Sequence, residues 1–252
     1  MPAARVEDAS SKKIRETDAI FEQVHAAHER AANDPTCLRI SIDTKAKVQI
    51  GEFSRGGRGR GDEAVKAVDH DRHPDAVLAP AGILEVASGQ LTIVFGTSRD
   101  TADFVADALE HWWRERKAVH PGIRRLQIDL DNGPEIASSR TQFLKRLVEF
   151  AQREPLEIEL VYYPPYHSKY NPIECCWGIL ENHWNATLLT TIRTALAWAA
   201  TMTWRGLRPF VHLLEKIYER GVTLTKTALQ QYAPHIQRSD TLPKWRVTIR
   251  PQ

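Results

Sequence analysis

Cysteine is scarce in this chain: Cys37, Cys175 and Cys176 are its three. Two of them are adjacent, a poor geometry for pairing, so a disulfide framework is excluded. That usage fits a reducing, cytoplasmic compartment. Long apolar runs are missing too. None approaches the roughly 18–20 residues a membrane-spanning helix needs. The opening MPAARVEDASSKKIRE lacks the apolar core of a secretory leader. No G-x-x-x-x-G-K stretch occurs, so an ATP-driven mechanism has no support. Charge is nearly balanced at +2, and the global balance therefore selects no partner. Internal repeats and long low-complexity segments are also lacking.

What is present is ordinary for a globular protein. The 252 residues are 42% hydrophobic and 26% charged, enough for a sizeable core. Ile20, Val24, Ala27 and Ala31 recur at helical spacing and predict a helix in a charged lead-in, residues 1–36. CLRISID (37–43) alternates and is β-branched, so it reads as a strand ending at Asp43. KVQIGEF (47–53) reads as a second strand, close enough to form a hairpin with the first. GILEV (82–86) and LTIVFG (91–96) flank a compact turn and predict another hairpin. Residues 101–117 form an amphipathic helix with Thr101 as its N-cap. A strand at 124–131, a helix at 138–154, a short strand at 158–163 and a helix after Pro172 follow. Residues 188–220 read as largely helical, and KWRVTIR (244–250) as a final strand. Antiparallel hairpins followed by alternating strand–helix units predict an α/β fold, a mixed sheet with helices on its faces. The body spans 37–187, and 188–252 is expected to be a helical extension.

Three acids fall at element ends that such a sheet brings together. Asp43 closes the first strand. Asp131 closes the strand at 124–131. Glu174 opens the helix behind Asn171-Pro172. Converging carboxylates resist ionisation, and divalent cations relieve them. Hard oxygen ligands suit Mg²⁺ or Mn²⁺. Two such ions about 4 Å apart can hold a phosphodiester, activate water or a 3′-hydroxyl and stabilise the leaving oxygen. Asp129 competes with Asp131 for the second place, since residues two apart share a strand face. Asp131 is favoured because it directly precedes Asn132-Gly133, where glycine allows a sharp turn. Glu135 and Asp69 are weaker spares.

The blocks DTKAKV, IDLDNGPE and YYPPYHSKYNPIECCW, with the phrase ISIDTKAKVQIGEFSRGG, resemble the signatures of DDE-type transposases of bacterial insertion sequences, relatives of the mariner group. The third block is the most specific: a strand, a Pro-containing polar loop, Asn-Pro-Ile-Glu and a Trp three residues on. The resemblance covers roughly residues 16–185. It implies a ribonuclease H-like fold and metal-dependent DNA cleavage and strand transfer with two Mg²⁺ or Mn²⁺ ions. It maps the metal-binding carboxylates onto Asp43, Asp131 and Glu174, with Asp43 bridging both ions. The implied partner is double-stranded DNA, as transposon ends and target. A homodimer would bring two ends together, and the helices at 188–220 are a surface that can serve it. The interval between Asp131 and Glu174 is longer than usual among mariner relatives, and the helix at 138–152 with its flanks fills it. Such transposases carry a helix-turn-helix region in front of the catalytic domain, and residues 1–36 are too short to supply one. A repurposed DNA-binding fragment and a ribonuclease H-like nuclease are the rival readings.

Other residues are candidates for DNA contact. Arg55, Arg58 and Arg60 lie in the basic loop SRGGRGRG, whose glycines let backbone N–H groups approach phosphates. His167 and Lys169 lie in the loop before Glu174. Cys175, Cys176, His167 and His183 match no familiar zinc spacing. Trp112, Trp113, Trp177, Trp184, Trp198 and Trp204 fall on or beside helical segments, where tryptophan is usually core.

Overall fold

The computed structural model describes residues 14–56 and 73–251. Helix α1 (Thr17–Ala32) comes first, with Ile20, Val24, Ala27 and Ala31 all buried. The strands are β1 (Cys37–Thr44), β2 (Val48–Ile50), β3 (Ala76–Glu85) and β4 (Leu91–Gly96). Helix α2 (Ala102–Arg116) begins at Thr101, whose hydroxyl accepts the Phe104 N–H as the sequence predicts. Strand β5 (Arg125–Leu130), helix α3 (Thr141–Arg153), strand β6 (Glu157–Tyr162) and helix α4 (Glu174–Trp184) follow in strict alternation. The remainder holds α5 (Ile192–Thr201), β7 (Phe210–Leu214), α6 (Lys226–Gln230), β8 (Ile236–Arg238) and β9 (Arg246–Ile249).

The strands form one mixed sheet in the order β7-β4-β3-β1-β5-β6-β9-β8, with β2 paired to β3. β1 runs antiparallel to β3 and parallel to β5, and β5 runs parallel to β6. Two expectations change here. β2 does not make a hairpin with β1, because both edges of β1 are already taken by β3 and β5; it pairs with the front of β3 instead. The segment after 188 is less helical than its pattern suggests. It keeps α5 and the short α6, and it adds three strands to the two edges of the sheet. Phe210–Leu214 is a short apolar run that periodicity alone cannot assign. An open edge on β4 decides it, and β7 pairs there in parallel.

Two apolar clusters flank the strands. The larger joins α2 and α3 to Leu38, Ile40 and Ile42 of β1 and to Leu126, Ile128 and Leu130 of β5. The smaller packs Ile173, Trp177, Leu180 and Trp184 of the α4 region and Ala195 and Ala199 of α5 on β2–β4. Side chains alternate along a strand. The apolar set of β1 therefore leaves Arg39, Ser41 and Asp43 on the opposite face. That polar row is where the site is built. No helix among the described residues is long and apolar enough to cross a membrane.

Candidate active site

Each member of the β1 polar row finds a partner. Arg39 donates to Asp129 at 2.8 Å. The Ser41 hydroxyl donates to Asn171 Oδ1 at 2.5 Å and accepts the Ile173 N–H at 3.1 Å. Asn171 Nδ2 donates to the Ile42 carbonyl at 3.1 Å. Asn171 is fully buried. It clips the loop before α4 to β1, and buried polar groups are stable only when so satisfied. The clip fixes where α4 begins, and Glu174 is the first residue of that helix. The next member of the row, Asp43, accepts the indole N–H of Trp177 at 2.8 Å. Trp177 reaches it because Gly82 faces Asp43 on β3: a Cβ there would lie 2.6–2.8 Å from Ile173 and the Trp177 ring.

Asp43 and Asp131 line one cleft of about 540 Å³ with Asp100, Gly133, Glu135 and Arg220. Asp43 is 7% exposed. Burial pushes its carboxyl up to about 7, and the negative charges of Asp131 and Glu174 add to the rise against the opposing Trp177 bond. Burial also raises Asp131, while the Gly133 N–H, donating at 3.2 Å, lowers it. Gly133 has no left-handed backbone, contrary to the sharp turn expected of it. Its value is room and an N–H: a Cβ would come within 3.1 Å of the Asp131 carboxylate. The choice between Asp129 and Asp131 is visible in their surroundings. Asp129 is 0% exposed, and Arg39, His28 and Gln127 surround its carboxylate. It is locked in a buried ion pair, whereas Asp131 opens on the cleft.

The donor set is chemically suited to hard divalent cations: three carboxylates, one deeply buried and resisting its own charge. A cation would offset both the burial and the carboxylate repulsion that hold the Asp43 carboxyl up. Their ligand atoms are not all within 4.8 Å of one another, as those of His111, Glu115 and His212 are among the described residues.

The sequence matches the Rhodopirellula transposase DDE domain over residues 3–251. The chain belongs to this family. Two solved structures resemble this DDE domain, both at 9% identity. One is the Mos1 mariner paired-end complex with Mn, with a TM-score of 0.54. The other is the Mos1 transposase paired-end complex with left transposon end, with a TM-score of 0.53. Each comparison covers 79% of this chain and 57% of the Mos1 chain. This DDE domain thus spans somewhat over half the length of the Mos1 chains it matches. The likeness shows the fold, a ribonuclease H-like mixed sheet with flanking helices. None of the curated proteins matches this chain.

Other expected residues of the DDE domain fall outside the cleft lining or serve structure. Arg55 lies 4.0 Å from Glu181 and 5.3 Å from the Trp184 ring, so it braces α4. Lys45 pairs with the same Glu181 at 2.9 Å. Arg58, Arg60 and Asp69 lie outside the described residues. His167 packs against Phe21 and Tyr170, and exposed Lys169 sits over Tyr170. Glu135 lines the cleft but accepts the first N–H of α2, from Ala102, and pairs with Arg140. Sequence reasoning passed over Asn171 and Trp177 as site-building residues. The signal was there: a polar residue ahead of Pro-Ile-Glu, and a Trp three residues after the glutamate. Arg220, the one cation among the described residues that line the cleft, had no such signal.

Proposed function

We propose that this chain is a transposase catalytic domain that cleaves DNA phosphodiesters and transfers strands with divalent metal ions. The observation that carries the reading is the buried Asp43 carboxyl, driven up by burial and by Asp131 and Glu174, at the wall of an open cleft. Asp43, Asp131 and Glu174 are the residues that would hold two Mg²⁺ or Mn²⁺ ions, with Asp43 shared. When bound, such ions activate a water and then a 3′-hydroxyl as nucleophiles and stabilise the departing oxygen. The chain's own part is positional. Trp177 fixes one oxygen of Asp43, the Gly133 N–H fixes one oxygen of Asp131, and the Asn171 clip sets the first turn of α4 beneath Glu174. Arg220 would meet a phosphate entering the cleft.

The substrate in this reading is double-stranded DNA, transposon end and target. A homodimer, to join two ends, and action in the cytoplasm, where such DNA is accessible, belong to it. The test is incubation of labelled duplexes with the folded protein and Mg²⁺ or Mn²⁺. The reading expects metal-dependent cleavage and joined products. Cleavage without joining would make the protein a nuclease, and DNA binding with no metal-dependent cleavage would make it a binding module.

A further inference from the structure

A second cluster of metal-ligand side chains lies away from the cleft. His111 and Glu115 sit at i and i+4 on α2, and His212 lies at the centre of the edge strand β7. Among the described residues these are the three whose ligand atoms all fall within 4.8 Å of one another. Glu115 Oε1 is 3.2 Å from His111 Nε2, and its Oε2 is 3.1 Å from His212 Nε2. The two imidazole centroids are 4.4 Å apart. Both Nε2 atoms are shut off from solvent, yet neither makes a hydrogen bond. The distances are short enough, so it is the direction of the ring nitrogens that misses the carboxylate. Leaving two buried ring nitrogens unsatisfied is unfavourable.

One ion accounts for all of these features. Zinc binds histidine and carboxylate at about 2.0–2.1 Å in a tetrahedron, which sets neighbouring ligand atoms about 3.3 Å apart. The nitrogen–oxygen contacts here are close to that spacing, and in such a shell no hydrogen bond between ligands is expected. We propose that His111, Glu115 and His212 bind a zinc-class transition-metal ion, with water in the fourth place, that clamps β7 to α2. Two imidazoles and a carboxylate suit Zn²⁺ better than the Mg²⁺ or Mn²⁺ suited to the all-oxygen cleft. The clamp has a mechanical use. β7 is held by β4 on one edge alone and carries the chain onward from α5, so a bond to α2 secures it from a second direction. Ligation through Nε2 places the ring proton of His111 on Nδ1, which now lies 2.6 Å from Arg114 Nη2. Arg114 is exposed and would turn into solvent.

Co²⁺ is the probe, added to the tag-free full chain carrying Asp43→Asn and Glu174→Gln so that the cleft does not contribute. The expected result is one equivalent of Co²⁺ with the strong visible absorption of a four-coordinate site, displaced by Zn²⁺. His212→Gln and His111→Gln abolish the band in folded protein, and Arg114→Ala retains it. Zn²⁺ raises the melting temperature of the parent and leaves that of His212→Gln unchanged. A folded parent that gives no such band, or a band that survives His212→Gln, overturns the assignment and leaves a plain His–Glu–His contact.

Discussion

The indole N–H of Trp177 reaches across from α4 to the carboxylate of Asp43 on β1, 2.8 Å away. This bond joins two of the three sequence blocks that carry the transposase resemblance, at the buried end of the candidate site. It orients Asp43 and holds α4 on the sheet at once. Trp177→Phe keeps most of the ring volume and removes the donor. A hydrogen bond to a charged group contributes about 1.5–3 kcal/mol, and partners behind a metal ligand are typically worth about 10–100-fold in metal affinity or activity. We expect a loss of that order in metal-dependent cleavage with DNA affinity unchanged. Equal activity in Trp177→Phe would show that the bond is only structural.

Gly82 supports the same contact from β3. The Cβ of Gly82→Ala would fall 2.6 Å from Ile173 and 2.7 Å from Trp177, so the α4 end must shift. Overpacking of this kind costs about 1–3 kcal/mol. Thermal melts should show the destabilisation, and metal-dependent cleavage should fall along with it. A melt unchanged from wild type would mean that α4 has room to move.

Asp129 and Asp131 should separate cleanly. Asp129→Asn removes the charge of a fully buried carboxylate and leaves the partly exposed Arg39 without its countercharge, which costs up to about 3–5 kcal/mol. Asp131→Asn removes a charge from a repulsive cleft and keeps an acceptor for the Gly133 N–H. Denaturant unfolding should find the first variant much weakened and the second at least as stable as wild type but inactive. The reverse pattern would move the second metal ligand to Asp129.

The raised carboxyl of Asp43 has a pH consequence with a definite sign. Its ordinary value is 3.8 and its value in the ion-free fold is about 7. Between these the native state holds a proton that the unfolded chain has released, so stability falls as pH rises from about 4 to about 7. In EDTA, melting temperature should decline across this window more steeply in wild type than in Asp43→Asn. Mg²⁺ or Mn²⁺ competes with that proton, so the stabilisation by metal should grow with pH over the same range. Parallel pH slopes in the two proteins would refute the link.

Much of this was legible in the sequence, for physical reasons. Burial patterns with clear periods gave α1, α2, α3 and the central strands, because a helix face or a strand face must be apolar to pack. The three acids stood out because they fall at element ends. The partner of β2 was not legible, since which strand edge is free is a property of the whole sheet. β7 was hidden for a similar reason: FVHLL is too short to show a period, and the open edge of β4 settles it. The β1 row Arg39-Ser41-Asp43 is the subtler case. Its alternation is plain, but its three different partners, Asp129, Asn171 and Trp177, come from residues about 90 to 134 positions away. Choosing Asp131 over Asp129 needed that same information, because only the fold reveals that Asp129 is already paired.

The central claim is that Asp43, Asp131 and Glu174 together hold the metal ions for DNA chemistry. Glu174→Gln tests it most directly, since the change keeps shape and removes charge. Wild type and variant should be compared on labelled duplexes with Mn²⁺, scoring cleavage, joining and DNA binding in the same samples. The account predicts metal-dependent cleavage and joining in wild type, and a folded variant that binds DNA equally but does neither. Cleavage by Glu174→Gln at the wild-type rate would contradict it.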